Sequence, residues 1–318
     1  MKGKRFVLAA VLACTAAVLA AAPVLAAETF LSIATGGTSG TYYPIGGAIA
    51  QAVSKSPAIQ ATAETGNASA ANTNLIAKTE IEIAFVQNDV AFWAYTGQQM
   101  FTSPLTNLRA VASLYPEHVQ LITTKDSAIK TLDDLKGKRV GIGAPGSGVQ
   151  SDVLALFQVA GLKTDDMRAE FLDFGATTSR FKDNQIDAGF VVAGYPTASV
   201  MDLATTKDIS LLSFSPEFLK KLGEAHPYFI QSTIPAGTYK GIDTDVTTPA
   251  VMAILITHDK VADDVVYEFV KTMFDNIADV HASHAKGREI NLETALSGLT
   301  VPLHPGAEKF YKEKGMVK

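Results

Sequence analysis

Hydrophobic and polar positions change period repeatedly along this chain. Residues 6–22 form an unbroken apolar run. Leu31 and Ile33 then alternate with Phe30, Ser32 and Ala34, the period-2 pattern of a strand, and a segment with helical spacing covers 43–53. Further strands are predicted at 59–63, 81–86 and 108–114, with helices at 68–78 and 89–95 between them. The rhythm restarts at His118, with strands predicted at 119–123, 139–142, 169–174, 188–192 and 209–214. A short helical turn at 132–135 and helices at 150–160, 176–184 and 197–205 separate them. Strands alternating with helices predict βαβ units, hence an α/β fold with a largely parallel sheet, in two series. Residues 226–249, rich in Pro, Gly, Thr and Tyr, read as loop, and 251–257 as a strand. Val265, Val266, Phe269, Val270, Met273, Phe274 and Ile277 give 263–284 a helical period, and this helix is expected to pack on the first series. A chain that leaves the first series and returns crosses at least twice, which makes a hinge. The expected division is 27–118 with 257–318 in one lobe and 119–256 in the other, the hinge lying near strands 119–123 and 251–257.

The N-terminus changes the charge and the compartment. Lys2, Lys4 and Arg5 precede the apolar run, Pro23 breaks it, and Val24-Leu25-Ala26 offers small residues for cleavage, the grammar of a secretory signal peptide over 1–26. Its removal takes three basic side chains and no acidic ones, so the formal charge of -5 becomes -8. The only cysteine, Cys14, leaves with it. An exported chain that needs no oxidation to fold suits the bacterial periplasm. The rival is lipidation of Cys14, since Val11-Leu12-Ala13-Cys14 loosely follows a lipobox. No later segment is long and apolar enough to insert in a membrane. With no basic block, nucleic acid is not an expected partner.

Two glycine-rich loops carry the candidate chemistry. Gly36-Gly37-Thr38-Ser39-Gly40-Thr41-Tyr42-Tyr43-Pro44 lies between the first strand and helix, where ligands of open α/β sheets bind. Its glycines admit a ligand to the backbone, its hydroxyls donate, and the helix N-terminus favours an anion. Alternatively, it is a capped strand–helix turn. Residues 141–148 repeat this placement and contain G-x-G-x-x-G, with Asp173 near where a ribose-binding acid would sit. Gly141 lies inside the strand, however, and Pro145 disturbs the turn. A P-loop fails because Val149-Gln150 stands where Lys-Ser/Thr is required. What remains is an anion cradle with Ser147 near the helix start, or again a plain helix cap. Polar turns at 64–69 and 87–89, and Tyr195-Pro196, complete a set expected to converge on one cleft. No G-x-S-x-G or H-E-x-x-H occurs, His281 and His284 lack a metal-binding partner, and no cofactor, metal or catalytic residue is expected.

These residues resemble a known family. Residues 36–44 followed by Ile45-Gly46-Gly47-Ala48 are similar to the opening signature of the TAXI family of TRAP transporter solute receptors. Further matches follow in order: Ser69 with Asn72, Gln87 with Asp89, the segment 134–140, the loop 143–148, Ile186-Asp187-Ala188, the segment 234–239 and His304-Pro305-Gly306-Ala307. The resemblance implies a type II periplasmic-binding-protein fold, two α/β lobes joined by a hinge with a ligand cleft between them. It implies a non-catalytic receptor that delivers a small carboxylate, such as glutamate, glutamine or 2-oxoglutarate, to a fused TRAP-type membrane permease. Carried over by position, the ligand-binding residues are Thr38, Ser39, Gly40, Thr41, Tyr42, Tyr43, Thr65, Ser69 and Gln87, and from the second lobe Ser147, Gly148, Val149 and Tyr195. Asn67-Ala68 stands where many relatives carry another glycine. With no arginine in the matched loops, a carboxylate would be held by N–H and hydroxyl donors and helix dipoles, and basic ligands should do worst. The alternative is a periplasmic sensory subunit serving a membrane histidine kinase.

Overall fold

The computed structural model describes residues 28–317. The expected signal peptide and Cys14 lie outside the described residues. The chain begins with β1 (Thr29–Ala34), α1 (Tyr42–Val53), β2 (Ile59–Glu64), α2 (Ser69–Ala77), β3 (Ile83–Gln87) and α3 (Asn88–Thr96). After β4 (Leu108–Thr124) come β5 (Arg139–Gly141), α4 (Gly148–Ala160), β6 (Arg168–Glu170), α5 (Phe174–Lys182), β7 (Ala188–Ala193), α6 (Ala198–Thr206) and β8 (Ile209–Leu211). The remainder is α7 (Pro216–Ala225), β9 (Ile230–Ile234), β10 (Val246–His258), α8 (Asp263–Asp275), α9 (Ile277–Ser283) and α10 (Pro305–Glu313).

One sheet runs β2-β1-β3-β10-β4-β7-β5-β6, with β8 beside β4 and β9 beside β10. It is mixed, not largely parallel. Strands β1–β3 are parallel to one another, as are β5–β7, but β10 is antiparallel to β3 and β4, and β4 to β7. The two long strands carry the chain between the halves. Up to Glu117, β4 has β10 as its partner strand, with one bridge from Ala110 to Leu303, and from His118 onward it takes β7 and then β8 as neighbours. Likewise β10 pairs with β9 through Ala250 and with β3 from Ala253. Both crossings thus fall near Glu117 and Val251, which face each other in register.

Helices cover both faces, so the central strands are apolar on both sides. Ile254 and Ile256 of β10 join one core with Ala84 and Val86 of β3, while Ala253 and Leu255 join another with Ile83 and Phe85. This is the alternation a pleated strand imposes. Helix α8 packs in the second of these cores with α1 and α10, on the β1–β3 half as expected.

Other expectations change. Strands 108–114 and 119–123 are one strand, because Pro116 sits in register opposite Met252 without ending it. The presumed loop 226–249 contains β9, an exposed edge strand with too little apolar content to stand out. The helix expected over 263–284 breaks at Asn276 (φ -116°), whose side-chain amide donates to the Thr272 carbonyl at 2.9 Å. Helices α7 and α10 were not anticipated, although Ser215-Pro216 and His304-Pro305 place a cap and a first-turn proline at each start.

Candidate functional site: a cleft between the sheet halves

Three strand–helix turns converge. After β1 the chain turns through Gly37 and Gly40, the Gly40 amide donating to the Gly37 carbonyl at 3.1 Å, and α1 opens at Tyr42. Its N-cap, Thr41, does not cap it; the hydroxyl donates to the Gly194 carbonyl, 2.8 Å away beyond β7. After β5, Gly143 adopts φ +92°, and a Cβ there would lie 2.7 Å from the Gln150 amide nitrogen, so the turn requires glycine. Ser147 caps α4, accepting from the Gln150 amide at 3.2 Å and donating to the Ala144 carbonyl at 2.7 Å. Helix α2 starts at Ser69 behind Ala68, whose φ is 60° and ψ -147°. Ala68 thus holds a backbone conformation natural to glycine.

These turns enclose a cleft of about 240 Å³. Thr38, Ser39, Gly40, Thr41, Tyr42, Ser69, Gln87, Ser147, Gly148 and Val149 all line it. Tyr43, Thr65 and Tyr195 do not. Tyr43 follows Tyr42 on α1, so the helical turn carries it to an exposed face, and Thr65 is exposed at the end of β2. The Tyr195 ring instead packs on His118, 4.6 Å between centroids, under the Lys286 ammonium at 3.7 Å. Sequence reasoning missed Glu117 and Phe174, which also line the cleft, as does Asp173, singled out only as the position of a ribose-binding acid. Asp173 caps α5 through the Ala176 amide at 2.7 Å. Glu117 had a weak signal, an acidic residue between the apolar runs 110–115 and 119–122, and it falls where a gap between two strands is expected.

The halves touch around the cleft. The Ala71 amide donates to the Gly146 carbonyl at 3.1 Å and the Ser199 amide to the Ser39 carbonyl at 3.2 Å. Gln87 Nε2 donates to Asp152 Oδ2 at 2.8 Å, and a Cβ on Gly148 would fall 1.5 Å from Gln87 Oε1. Both hydroxyls expected to grip a ligand, Thr41 and Ser147, thus have their protons committed to carbonyls. Thr38 and Ser39 are the hydroxyls left at the rim, and in the first turns of α2 and α4 the Ala71 and Gln150 amides are already bonded, leaving the other first-turn amides of α1, α2 and α4 without an intrahelical partner.

The electrostatics are divided. No lysine or arginine lines the cleft, so an anion would meet helix N-termini alone. At the floor, Glu117 is buried and accepts from the Tyr42 hydroxyl at 2.7 Å. Burial, reinforced by Asp89, pushes the Glu117 carboxyl up to about 8, against the lowering effect of the Tyr42 hydrogen bond. His118 is driven down to about 3 by burial and by Lys286, so its ring is neutral. Lys286 is itself buried and paired with Glu289 at 2.7 Å. Among the described residues no group of three or more His, Cys, Asp or Glu side chains could hold a metal ion, and no helix is long and apolar enough to cross a membrane.

The sequence profile of the NMT1-like family matches residues 33–315. Among solved structures, a protein from Bordetella bronchiseptica RB50 is 14% identical, with 91% of this chain and 98% of that one covered at a TM-score of 0.57. The ligand-binding component of an ABC-type import system from Staphylococcus aureus, with zinc bound, is 12% identical over 91% and 93% of the two chains, TM-score 0.51. A Listeria monocytogenes protein assigned to an L-cystine ABC transporter is 12% identical over 83% and 99%, TM-score 0.50. At such identities the likeness establishes the fold alone, an α/β fold shared with the ligand-binding component of an ABC-type import system.

Proposed function

The chain belongs to the NMT1-like family, and from that premise we propose that it is an extracytoplasmic receptor that captures a small amino acid and hands it to a membrane permease. The observation that carries this reading is the pairing, in one cleft, of three helix N-termini at the rim with the buried Glu117 carboxyl at the floor. The amides suit a carboxylate, and Glu117 supplies the acceptor that a plain dicarboxylate would not use. An ammonium group at Glu117 draws its proton off, and the resulting pair is buried where water does not compete. Glutamine and glutamate fit this arrangement better than 2-oxoglutarate, and the expectation that basic groups are excluded gives way to a zwitterion. Crossings of β4 and β10 near Glu117 and Val251 would serve as the hinge, with 27–118 and 257–318 moving against 119–256. Ligand contacts from both halves then favour the closed form.

The resemblance to TAXI receptors supports a TRAP-type permease driven by an ion gradient. A second reading, an ABC-type importer, is favoured by the Staphylococcus and Listeria proteins of the same fold. Uptake into vesicles energised by a gradient or by internal ATP separates the two. Ligand class is tested by melting the protein with L-glutamine, L-glutamate and 2-oxoglutarate. Saturation a thousandfold above Kd should add about 4 kcal/mol of stability. No response to any amino acid would sink the proposal.

A further inference from the structure

Behind the cleft floor lies a group that solute capture does not use. Asp89 opens α3 in one half of the sheet and Asp152 sits on α4 in the other, and both are fully buried. They are neighbours across the join: Gln87, two residues before Asp89, is bonded to Asp152, and each carboxyl acts electrostatically on the other. Gln87 Nε2 takes one oxygen of Asp152, while the other oxygen of Asp152 and both of Asp89 have no donor of normal geometry. The side chains facing the pair offer no counter-charge: Glu117 from β4 and Tyr228 beside Asp89 are acidic or neutral, and burial lowers His226, beyond Trp93, from the usual imidazole range, so that only the Asp89 and Val90 amides at the start of α3 favour a charge on Asp89. Two carboxylates cannot both remain ionised in contact and out of water. Only a proton between them closes the hydrogen bond that the unpartnered oxygens lack.

We propose that Asp89 and Asp152 form a proton-binding site between the two halves, Asp152 donating to Asp89, so that closing the cleft takes up one proton. Burial, then the neighbouring Asp89 charge, raises Asp152 well above the carboxylate range, which agrees in direction. In the unfolded chain both acids titrate independently near the ordinary carboxylate value. Above that value the folded form therefore holds one more proton, and the folded state weakens as pH rises.

The test needs no ligand. Urea unfolding of the full chain between pH 5 and 9 is compared with Asp152→Asn, whose amide donates to Asp89 without any proton. The wild-type unfolding constant should rise about tenfold per pH unit more steeply than that of the variant, making the variant the more stable at pH 9. Asp89→Asn should flatten the slope in the same way, and it serves if Asp152→Asn does not fold. Glu117→Gln must leave the difference between wild type and variant intact. Parallel slopes would overturn the site. The link to closure, which rests on the receptor reading, is read by titrating L-glutamine in buffers of different ionisation enthalpy. The proton that the ammonium group displaces from Glu117 is common to both proteins, so wild type should take up about one proton more than Asp152→Asn; equal proton counts would mean the pair is already formed in the free protein and overturn the link. No binding at all removes the amino-acid reading, and the unfolding slopes still decide the proton site.

Discussion

The rim of the cleft, residues 36–42 and 143–149, presents glycines, hydroxyls and helix amides, whereas its floor presents Gln87 and Glu117 with Asp89 and Asp152 behind them. Each rim loop is local, a strand end followed by its own helix, and the residues that shape it are neighbours in sequence. The floor is assembled from β3, α3, β4 and α4, with Gln87 and Asp152 bonded across 65 residues. Donors at the rim keep contact with solvent, and their polarity costs little. Acids at the floor have lost water, so each must find a proton or a cation. Anion binding and proton or cation binding are thus divided between two layers of one site.

The largest effect expected from breaking this division is at Glu117. Replacing it with Gln keeps the Tyr42 contact but removes the charge that would meet an ammonium group. Hydrogen bonds to charged groups contribute about 1.5–3 kcal/mol, so L-glutamine should bind roughly 10- to 100-fold more weakly. A 2-oxo acid should be nearly indifferent. Calorimetry with both ligands decides; equal losses would mean that Glu117 acts on the cleft and not on the ligand. Gly148→Ala attacks the join between layers, since the new Cβ would overlap Gln87 Oε1. Overpacking of this kind costs about 1–3 kcal/mol. Chemical denaturation should show that loss together with a weaker ligand response, and a variant of wild-type stability would show that the halves can part freely here.

The rim was legible from sequence because Gly, Ser and Thr clustered between a period-2 run and a helical run mark strand–helix turns wherever they occur. Even so, two assignments within it changed meaning: Thr41 and Ser147 line the cleft but spend their protons on Gly194 and Ala144. The floor was not legible. Glu117 falls between the strands expected at 108–114 and 119–123, and that the two are one strand with Pro116 opposite Met252 is a tertiary fact. Tyr195 looked like a ligand contact because it follows a strand end, while its ring is occupied by His118 and Lys286. The sheet order was hidden for the same reason, as β4 and β10 pair across 130 or more residues and reverse direction relative to their neighbours.

A milder probe of the floor is pH. Glu117 is raised to about 8 in the folded protein, so the folded state holds its proton where the unfolded chain has released it. Its contribution is complete below the ordinary carboxylate value and is lost as pH rises through about 8. Wild type should lose up to about 1.4 kcal/mol per pH unit from this group across that window. Glu117→Gln should remove that part of the slope, measured as melting temperature against pH. An unchanged slope would place the titration elsewhere on the floor.

The smallest effect belongs to the rim, at Ala68. Its φ of 60° with ψ -147° is a conformation that a Cβ resists, at a cost of about 1–3 kcal/mol. Glycine relieves that cost but gives the unfolded chain about 0.4–1 kcal/mol of extra entropy, and it forfeits the packing of the Ala68 methyl against the core. Ala68→Gly should therefore stabilise the protein by about 1 kcal/mol, where an alanine-to-glycine change elsewhere in a helix start would destabilise it. Because α2 presents its first-turn amides to the cleft, the relaxed turn should leave ligand affinity within a factor of a few. A fall in melting temperature would mean that the methyl group holds the rim loops together and that the strain at this turn is offset by packing. A large loss of affinity at unchanged stability would instead make the strained backbone part of the binding geometry.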